Sequence, residues 1–539
     1  QIIHLRSAGG KEMKIIFRVC NDGLAFRYEL DNEEKRHTIR KEISSFHLPA
    51  GTRAWLQPMS IAKSGWEHTN PSYEEHYLQD IPAGTPSPLR SGWVYPALFH
   101  HGDSWVVISE SGIDSNYCGT RLVNDSASSI YRIGFPDQRE IFPGGDIYPV
   151  KTGRYWRTPW RIIAMGTLKT IAESTLGTDF AEPSPVHVDT SFIKPGKAAW
   201  SWIMSKDDSI VYSEQKRYID FAADMHWQYC LIDVNWDTKI GYGKIKELAD
   251  YAAGRNVGLL LWYNSAGDWN TTPYHPKSKL LTTELRQQEF RRLQEMGIKG
   301  VKIDFFGGDG QSVMKYYIDI LHDAAKYHLL VNFHGATLPR GWQRMYPNLM
   351  TTEAVRGFEM VTFMQDDADR EAVHCTILPF TRNLFDPMDF TPMNLSGIPT
   401  QVKRRTTPGF ELALSVLFLS GIQHYAESPA GMQHMPDFVK GFLRQLPVQW
   451  DDVRFIDGYP GKYVVLARRS GDSWYICGIN AQKEEMVLSI DLSFMQHKAL
   501  NLISDDNGGS LKQSVITPSS LKTLPVTMKP NGGFVIVTK

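Results

Sequence analysis

The first part of the chain alternates apolar and polar residues with the period of two that is typical of β-strands. Two such segments, Met13–Val19 and Leu24–Leu30, flank an Asn-Asp-Gly sequence at residues 21–23 and predict a β-hairpin. Further strands are predicted at 37–46 and 104–109. Helical periodicity is nearly absent before about residue 162. We therefore predict that residues 1–190 form an N-terminal β-sandwich and a linker.

From residue 198 onward, short apolar runs alternate with segments such as 213–225, 284–296 and 314–327, whose apolar residues repeat with helical spacing. Eight apolar runs recur about every 32 residues, which is the length of one β/α unit. This pattern predicts a (β/α)8 barrel over residues 191–447. The predicted strands are Ala198–Met204, Tyr229–Val234, Val257–Tyr263, Gly300–Phe305, Leu329–Phe333, Met350–Ala354, Thr376–Pro379 and Gly421–Tyr425.

The end of the chain returns to a β pattern after a last predicted helix at 438–446. Strand-like segments occur at 462–467, 473–480, 485–492 and 533–537, with turns between them. We therefore predict a multidomain protein that ends in a small antiparallel β domain, a C-terminal β-sandwich domain over residues 448–539.

Composition narrows the classes of function. The 58 Lys and Arg residues balance 59 Asp and Glu residues and form no basic patch, which argues against nucleic-acid binding. No apolar run reaches the roughly 18 residues of a membrane span. Five scattered cysteines without a CxxC motif argue against a zinc site or a disulfide scaffold. The 15 Trp, 23 Tyr and 25 Phe residues fit either large cores or a sugar site, because flat aromatic faces pack on pyranose rings.

The catalytic groups of a barrel lie at the C-terminal ends of its strands. Here the predicted strand ends carry carboxylates, amides and aromatic residues, a mixture that suits a substrate rich in hydroxyl groups. An Asp at a strand end can instead cap the next helix, and for Asp233 or Glu427 alone this structural role stays open. The candidate substrate contacts are Asp233, Trp236, Asn264, Lys302, His334 and Arg356.

Two carboxylates stand out as a candidate catalytic pair. Glycoside hydrolysis requires one ionised carboxylate and one carboxylic acid on either side of the scissile bond. Lys302 and Asp304 point to the same side of their strand, so the lysine favours an ionised Asp304 that could act as a nucleophile. Glu359 lies just beyond the sixth predicted strand, where it is either the acid or a solvated loop residue.

Several longer motifs occur in and around the predicted barrel: GVKIDFF at 300–306, NFHGATLP at 332–339, RMYPN at 344–348, TEAVRGFE at 352–359 and LPFTR with PMDFTP at 378–392. With these motifs the chain resembles glycoside hydrolase family 97 over nearly its whole length. The resemblance implies a sandwich, a (β/α)8 barrel and a small β domain, and by this comparison the chain would begin inside the sandwich, without the family's first strands. It also implies a periplasmic enzyme, and it leaves open a monomer or a small homo-oligomer.

Position 335 distinguishes two mechanisms within this family. The inverting α-glucosidases carry a glutamate base where this chain has Gly335, whereas the retaining α-galactosidases have a glycine there and an aspartate nucleophile on the fourth strand. The resemblance therefore implies a retaining, exo-acting α-galactosidase with Asp304 as nucleophile and Glu359 as general acid/base. Its substrate would be a galactosyl oligosaccharide or glycoside.

The resemblance also implies a bound Ca²⁺ ion. The matching positions are Glu110, Glu353 and Glu359, and carboxylate oxygens are the ligands that calcium prefers. Glu110 would come from the N-terminal domain and the other two residues from the barrel.

Several alternatives remain open from the sequence. A β-L-arabinopyranosidase would use the same mechanism, because its substrate has the same ring hydroxyl arrangement without C6. An inverting α-glucosidase is disfavoured by Gly335, and a non-catalytic carbohydrate-binding protein is disfavoured by the joint presence of Asp304 and Glu359. A lyase or aldolase that uses Lys302 as a Schiff base would need a lowered lysine pKa, which the adjacent aspartate opposes.

Overall fold

The computed structural model describes residues 1–30, 36–124, 128–151, 156–183, 189–495, 499–517 and 522–538. The chain forms an N-terminal β domain, a central barrel of parallel strands and a C-terminal antiparallel β domain, which confirms the predicted fold class. No helix in these ranges is long and apolar enough to cross a bilayer.

The N-terminal domain contains a large antiparallel sheet and a smaller sheet that packs on it. The predicted hairpin is present as β2 and β3, whose paired residues run from Met13 opposite Leu30 to Cys20 opposite Gly23. Phe46 and Tyr131 of the small sheet share a core with Phe99 of the large one. The strand predicted at 37–46 is reduced to two short strands at its ends. The strands are β1 (Ile2–Arg6), β2 (Glu12–Cys20), β3 (Gly23–Leu30), β4 (His37–Thr38), β5 (Ser45–His47), β6 (Arg53–Leu56), β7 (Leu78–Pro82), β8 (Ala97–His101), β9 (Ser104–Ser111), β10 (Arg121–Asn124), β11 (Ile130–Gly134), β12 (Val150–Lys151), β13 (Trp156–Arg157) and β14 (Trp160–Gly166).

Seven parallel strands form the barrel, and all of their residues are buried except Gly258 at the start of β17. They are β15 (Gly196–Trp200), β16 (Tyr229–Ile232), β17 (Gly258–Asn264), β18 (Gly300–Asp304), β19 (Leu330–Phe333), β20 (Leu349–Thr352) and β21 (Ile422–Tyr425). The strands from β15 to β20 pair in order, and β21 pairs with β15. The Gly421 amide donates to the Met350 carbonyl at 3.0 Å, which brings the start of β21 next to β20.

The prediction of a seventh strand at Thr376–Pro379 is wrong, because Leu378–Phe380 form a 3-10 helix. The extended segment 388–390 takes part of this place. The Met388 amide donates to the Leu419 carbonyl, and the Asp389 amide donates to the Thr352 carbonyl at 3.0 Å. Asp389 is thereby brought to the C-terminal end of the barrel beside β20.

Helices cover the outside of the barrel and occupy the loops at its C-terminal end. Thr282 and Thr407 begin their helices with side chains that accept the amides of Leu285 and Phe410. The helices are α1 (Leu168–Ala172), α2 (Leu176–Asp179), α3 (Trp202–Ser205), α4 (Tyr212–Asp224), α5 (Trp236–Lys239), α6 (Tyr242–Ala253), α7 (Thr283–Glu295), α8 (Gln311–Lys326), α9 (Trp342–Met345), α10 (Phe358–Phe363), α11 (Gln365–Cys375), α12 (Pro408–Leu417), α13 (Pro429–Gln433) and α14 (Asp437–Gln445).

The C-terminal domain packs on the helical layer of the barrel. Asp505 accepts the Thr407 hydroxyl at 2.7 Å and the Gly409 amide at 2.8 Å, and thus binds the start of α12. Arg468 donates to the last carbonyls of the same helix, those of Val416 and Leu417. The strands are β22 (Asp452–Tyr459), β23 (Tyr463–Ser470), β24 (Ser473–Asn480), β25 (Met486–Asp491), β26 (Leu500–Asp505), β27 (Leu511–Ile516), β28 (Thr523–Met528) and β29 (Gly533–Thr538).

A buried group of charges joins the N-terminal domain to the loops that follow β18 and β19. Glu110 accepts hydrogen bonds from Arg161 of its own domain and from Arg340 of the barrel. Arg340 also donates to the Tyr73 hydroxyl at 2.9 Å, and Tyr73 in turn donates to Asp309. These contacts fix the N-terminal domain against the end of the barrel where catalytic groups are expected.

Candidate active site

A cavity of about 660 Å³ lies at the C-terminal end of the barrel, beneath a loop of the N-terminal domain. Its volume is within the range of about 300–1,000 Å³ for sites that bury a drug-sized ligand. It is lined by Gly65, Trp66, Thr69, Asn70, Ser72, Glu74, Glu75, Trp202, Asp233, Val234, Trp262, Tyr274, Lys302, Asp304, Phe305, Gly335, Glu353, Arg356, Glu359, Met360, Phe363 and Met364.

Asp304 ends β18 with its carboxylate in the cavity. The Phe305 amide donates to Oδ1 at 2.9 Å, and the Trp262 indole N–H donates to Oδ2 at 3.2 Å. Burial raises the pKa of Asp304 to about 6, although Lys302 and His334 act to lower it. The two donors therefore hold the carboxylate in one orientation, and the two nearby cations limit the rise in its pKa.

Lys302 lies two residues earlier on the same strand and faces the same cavity. Its Nζ donates to Asp233 Oδ2 at 3.1 Å and lies 3.9 Å from Asp304 Oδ2. Burial lowers the pKa of Lys302, but Asp233 and Asp304 outweigh this effect and the net shift is upward. The lysine is therefore a permanent cation beside Asp304, which excludes the Schiff-base hypothesis because that chemistry needs a neutral amine.

Glu353 and His334 form an ion pair at the base of the cavity. His334 Nδ1 lies 3.3 Å from Glu353 Oε1, and the Gly335 amide donates to Oε2 at 2.9 Å. Burial would lower the pKa of His334, but Glu353 and Asp389 raise it to about 10. Burial raises the pKa of Glu353, but the charge of His334 and the hydrogen bonds leave it below its ordinary value. The pair is therefore charged at neutral pH.

Glu359 is a half-buried residue in the first turn of α10, and it lines the same cavity. Burial and the charge of Glu353 raise the pKa of Glu359 to about 7, against the opposing effects of Lys302 and Lys206. One ligand atom each of His334, Glu353 and Glu359 lies within 4.8 Å of the others. Glu359 is therefore a cavity residue that holds a proton near neutral pH.

Glu74 is a cavity residue that the sequence analysis missed. It lies in the N-terminal domain, between Tyr73, which bonds to Asp309, and Glu75, which accepts the Ser60 hydroxyl at 2.8 Å. Burial and the charges of Glu353, Glu359 and Asp304 raise the pKa of Glu74. Glu74 follows no predicted strand end, so only the docking of one domain on the other reveals it.

Glu110 lies outside this cavity, which corrects its predicted place among the calcium ligands. Its Oε1 accepts the Thr120 amide at 2.8 Å and the Arg340 Nε–H at 2.6 Å, and its Oε2 accepts Arg161. Both oxygens are thus bound by donors of the protein. Glu74 and Glu75 are the carboxylates that the N-terminal domain places in the cavity wall.

Trp236 and Asn264 also lie outside the cavity wall, which corrects their prediction as substrate contacts. The Trp236 indole donates to the Trp262 carbonyl at 2.8 Å, and the Asn264 amide donates to Thr272 at 2.7 Å. Both are fully buried. Because their polar groups form hydrogen bonds within the protein, these two residues support the strands beneath the cavity wall.

The other predicted contacts, Asp233, Lys302, His334 and Arg356, lie in the cavity wall or directly against it. Asp233 accepts the Trp200 indole N–H at 2.9 Å as well as Lys302. Arg356 lines the cavity but its guanidinium is bound to Asp367. Glu427 has the structural role considered above, since its carboxylate accepts the amides of Leu395, Ser396 and Ser428.

Asp389 is a second site residue to which the sequence analysis assigned no role. Its Oδ2 accepts from Asn332 at 2.7 Å, from His334 at 2.8 Å and from His424 at 2.8 Å. Burial raises the pKa of Asp389, but the two histidines outweigh this and hold it far below its ordinary value. The sequence analysis missed Asp389 because it predicted the seventh strand at Thr376–Pro379, whereas Asp389 belongs to the segment 388–390 that takes part of this place.

The arrangement unites an ionisable aspartate held by donors, a carboxylic acid with a raised pKa, and aromatic walls around a concave site. Two such carboxyl groups at the end of a parallel barrel are the groups that a glycoside hydrolase requires. Sequence comparison assigns the family. The profiles for glycoside hydrolase 97, its N-terminal domain and its C-terminal oligomerisation domain match residues 192–355, 1–183 and 449–539, so the chain belongs to glycoside hydrolase family 97.

Individual relatives agree with this assignment. A probable retaining α-galactosidase of Streptomyces bingchenggensis is 34% identical over 99% of this chain and 78% of the relative. A retaining α-galactosidase of Bacteroides thetaiotaomicron is 28% identical over 98% of this chain and 84% of the relative. The crystal structure of a β-arabinopyranosidase is 39% identical with a TM-score of 0.96, over 99% of this chain and 86% of that chain.

Proposed function

We propose that this glycosidase is exo-acting and retains anomeric configuration, and that it cleaves terminal α-galactosides by a double displacement. One observation carries the retaining mechanism. A Cβ at Gly335 would lie 2.8 Å from Asp304 Oδ1 and 2.8 Å from the Phe305 amide nitrogen. Gly335 also has a φ of 47°, which disfavours any side chain. A glutamate side chain at position 335 would therefore collide with Asp304 in its observed position. The site thus has no room for the glutamate base of the inverting enzymes, which supports Asp304 as the nucleophile of a retaining enzyme.

In the first displacement, Asp304 attacks the anomeric carbon as the bond to the leaving group breaks. Glu359 donates its proton to the leaving oxygen, so the alcohol departs neutral and a glycosyl ester forms at Asp304. In the second displacement, Glu359 accepts a proton from water, and that water breaks the ester bond. The raised pKa of Glu359 suits the first step because it keeps the acid protonated, and Lys302 favours the ionised Asp304.

We further propose that the site holds Ca²⁺, and the donor set fits this ion. Glu74, Glu353 and Glu359 bring carboxylate oxygens to one cavity; Glu353 and Glu359 raise the pKa of Glu74, and Glu353 also raises the pKa of Glu359. Such crowding of negative charge is relieved by a divalent cation with oxygen ligands. When bound, the ion would supply positive charge beside the sugar. The protein residues retain the proton-transfer roles described above.

A β-L-arabinopyranoside is the second candidate substrate. The observation that favours it is the 39% identity to a crystal structure titled as a β-arabinopyranosidase, which exceeds the identity to the two α-galactosidases. The same mechanism serves both sugars, because they differ at C5 and not at the reacting carbon.

The experiment compares p-nitrophenyl α-galactoside with p-nitrophenyl β-L-arabinopyranoside by kcat/KM and follows the first-formed product by NMR. A product with the anomeric configuration of the substrate supports the double displacement. An inverted product overturns it. The larger kcat/KM assigns the sugar.

A further inference from the structure

Two exposed aromatic side chains mark the mouth of the cavity. Trp66 and Phe363 are each 50% exposed, and no other Trp or Phe residue among the described residues is exposed. Met364, also 50% exposed, lies beside Phe363. All three line the cavity that holds Asp304, whose own exposure is only 8%. The apolar groups therefore lie at the rim, and Asp304 lies below it.

The two aromatic side chains belong to walls on opposite arcs of the barrel. Trp66 contacts Phe305 and Tyr274, with ring centroids 5.5 Å and 5.8 Å away, next to the ends of β17 and β18. Phe363 contacts Trp202, with centroids 6.1 Å apart, beside the loops that follow β15 and β20. In the sheet order, β17 and β18 lie across the ring from β21, which lies between β15 and β20. The rim thus presents apolar rings from two sides.

The position of Phe363 relative to Glu359 shows which part of a substrate reaches the rim. Both residues lie on α10, and Phe363 is four residues after Glu359, which places them on the same face of the helix. Since Glu359 protonates the leaving oxygen, the leaving group must extend from Glu359 toward solvent. Phe363 and Met360 lie along this exit and line the cavity.

The polar groups of the rim are already bound within the protein. The side chain of Asn70 bonds to Ser64, Glu75 accepts the Ser60 hydroxyl, and Arg356 donates to Asp367. Lys206 donates to Thr362 and lies 4.1 Å from the ring centroid of Phe363, where it fixes that ring. The large exposed side chains that can contact a leaving group are therefore Trp66, Phe363 and Met364, whose ring faces and apolar surface favour an apolar group over hydroxyl groups.

We propose that the rim is a leaving-group subsite for an apolar ring alcohol, such as an aryl or fused-ring alcohol, so that the enzyme prefers glycosides of such alcohols to galactosyl disaccharides. This proposal rests on the proposed function, because it uses Glu359 as the acid. An exposed apolar surface beside a catalytic acid is explained when an apolar group covers it in the substrate complex. The glycosidic bond is cleaved by the double displacement described under the proposed function. The present proposal adds only the chemical class of the alcohol that leaves.

The test compares three substrates that carry the same sugar. Benzyl α-galactoside has an apolar ring, melibiose has a glucose attached through its own primary hydroxyl, and α-galactosyl fluoride has no leaving group large enough to reach the rim. If the enzyme prefers L-arabinopyranose, the matching β-L-arabinopyranosyl series is used. We expect kcat/KM for the benzyl substrate to exceed that for the disaccharide by about 10-fold, the scale on which one hydrophobic contact discriminates.

Variants test whether the rim causes this preference. In Trp66→Ala and Phe363→Ala, the ratio of kcat/KM for the benzyl substrate to that for the fluoride should fall by about 10-fold, and Trp66→Phe should restore most of it. Val487→Ala changes an exposed apolar residue of the C-terminal domain and is expected to leave the ratio unchanged.

Two results would overturn the proposal. One is a disaccharide that is hydrolysed as well as the benzyl glycoside, and the other is an unchanged ratio in both alanine variants. Failure of the proposed function has a different signature, because the wild-type enzyme would then hydrolyse neither the glycosyl fluoride nor the other substrates.

Discussion

Oε1 of Glu110 lies 2.6 Å from Nε of Arg340, in an ion pair whose two side chains are completely buried. The pair joins the N-terminal domain to the loop that follows β19, and this loop begins with His334 and Gly335 of the site. Removal of one partner from a buried ion pair leaves an uncompensated charge, which costs far more than the pair contributes when intact. The domain interface and the geometry of the site therefore depend on the same residues.

Glu110→Gln should lower the free energy of unfolding by about 3 kcal/mol, because Arg161 and Arg340 lose a shared anion in a dry environment. The calcium affinity should stay unchanged, because Glu110 is not among the cavity carboxylates. Thermal or denaturant unfolding measures the first effect, and calorimetric calcium titration measures the second. Glu214→Gln is the control, since its pair with Arg217 is partly exposed and should contribute less than about 1 kcal/mol. A large loss of calcium affinity in Glu110→Gln would contradict this assignment.

Gly335→Ala should reduce kcat by about 100-fold or more, on the scale of a displaced catalytic group. The added Cβ would lie 2.8 Å from Asp304 Oδ1, so the nucleophile must move. Gly102→Ala is a matched control. Gly102 has a φ of 57°, close to the 47° of Gly335, but nothing lies within 4 Å of its Cβ position. Gly102→Ala introduces the same unfavourable positive φ without a steric clash. Equal activities of the two variants would show that the position of Asp304 does not require a glycine at 335.

Asp304→Gly should reduce kcat/KM by about 10⁴-fold or more, because no other group replaces a covalent nucleophile. Added azide should restore part of the activity, because the anion can occupy the space of the missing carboxylate and attack the anomeric carbon. This single displacement should give a glycosyl azide of inverted configuration. Product analysis by NMR detects it. Asp309→Asn removes a buried carboxylate five residues further along the chain that bonds to Tyr73 outside the cavity, and azide should have no effect there. Azide-independent activity in Asp304→Gly would exclude this aspartate as the nucleophile.

The fold was predictable from the sequence where local patterns carry the information. Hydrophobic periodicity located the hairpin β2–β3 and seven of the barrel strands, because each is a run of buried residues with clear turns at its ends. The prediction of the seventh strand was wrong because Thr376–Pro379 is apolar without being a strand. It packs as the end of a helix and a 3-10 turn. Apolar character alone does not distinguish a buried strand from a buried helix end.

The site was predictable to the extent that it lies at strand ends. Asp304, Lys302 and Asp233 follow from the position of catalytic groups in barrels. Glu74 and Trp66 do not, because they reach the cavity only when the N-terminal domain docks on the barrel. The same docking explains why Glu110 was misassigned: its position near Arg340 is a property of the interface and has no signal in the sequence of either domain.

Calcium should raise both the melting temperature and the activity, and Glu74→Gln should weaken both effects. A ligand that binds only the folded state stabilises it in proportion to the logarithm of its concentration over Kd, about 2.7 kcal/mol at 100 times Kd. Loss of one carboxylate from the site should therefore reduce the calcium-dependent shift in melting temperature. Glu214→Gln, far from the cavity, should behave as the wild type. An identical calcium response in Glu74→Gln and wild type would remove Glu74 from the ligand set.

In the calcium-free enzyme the pH dependence of kcat/KM should be bell-shaped, with its limbs set by Asp304 and Glu359, because a bound cation would lower the pKa of Glu359. Burial raises the pKa of Asp304 to about 6, so activity falls below this pH as the nucleophile becomes protonated. Burial and Glu353 raise the pKa of Glu359 to about 7, so activity falls above this pH as the acid loses its proton. Because the two groups interact, the limbs report the pair.

Glu353→Gln removes a negative charge that raises the pKa of Glu359, so the alkaline limb should move to lower pH. In Glu359→Gln the alkaline limb should disappear when a dinitrophenyl glycoside, whose leaving group needs no acid, is used with azide as the acceptor. The acid limb of Asp304 should persist, because its ionisation is still required. Rates measured from pH 4 to 9 test both expectations. An alkaline limb that stays in place in Glu359→Gln would assign the proton donor to another group.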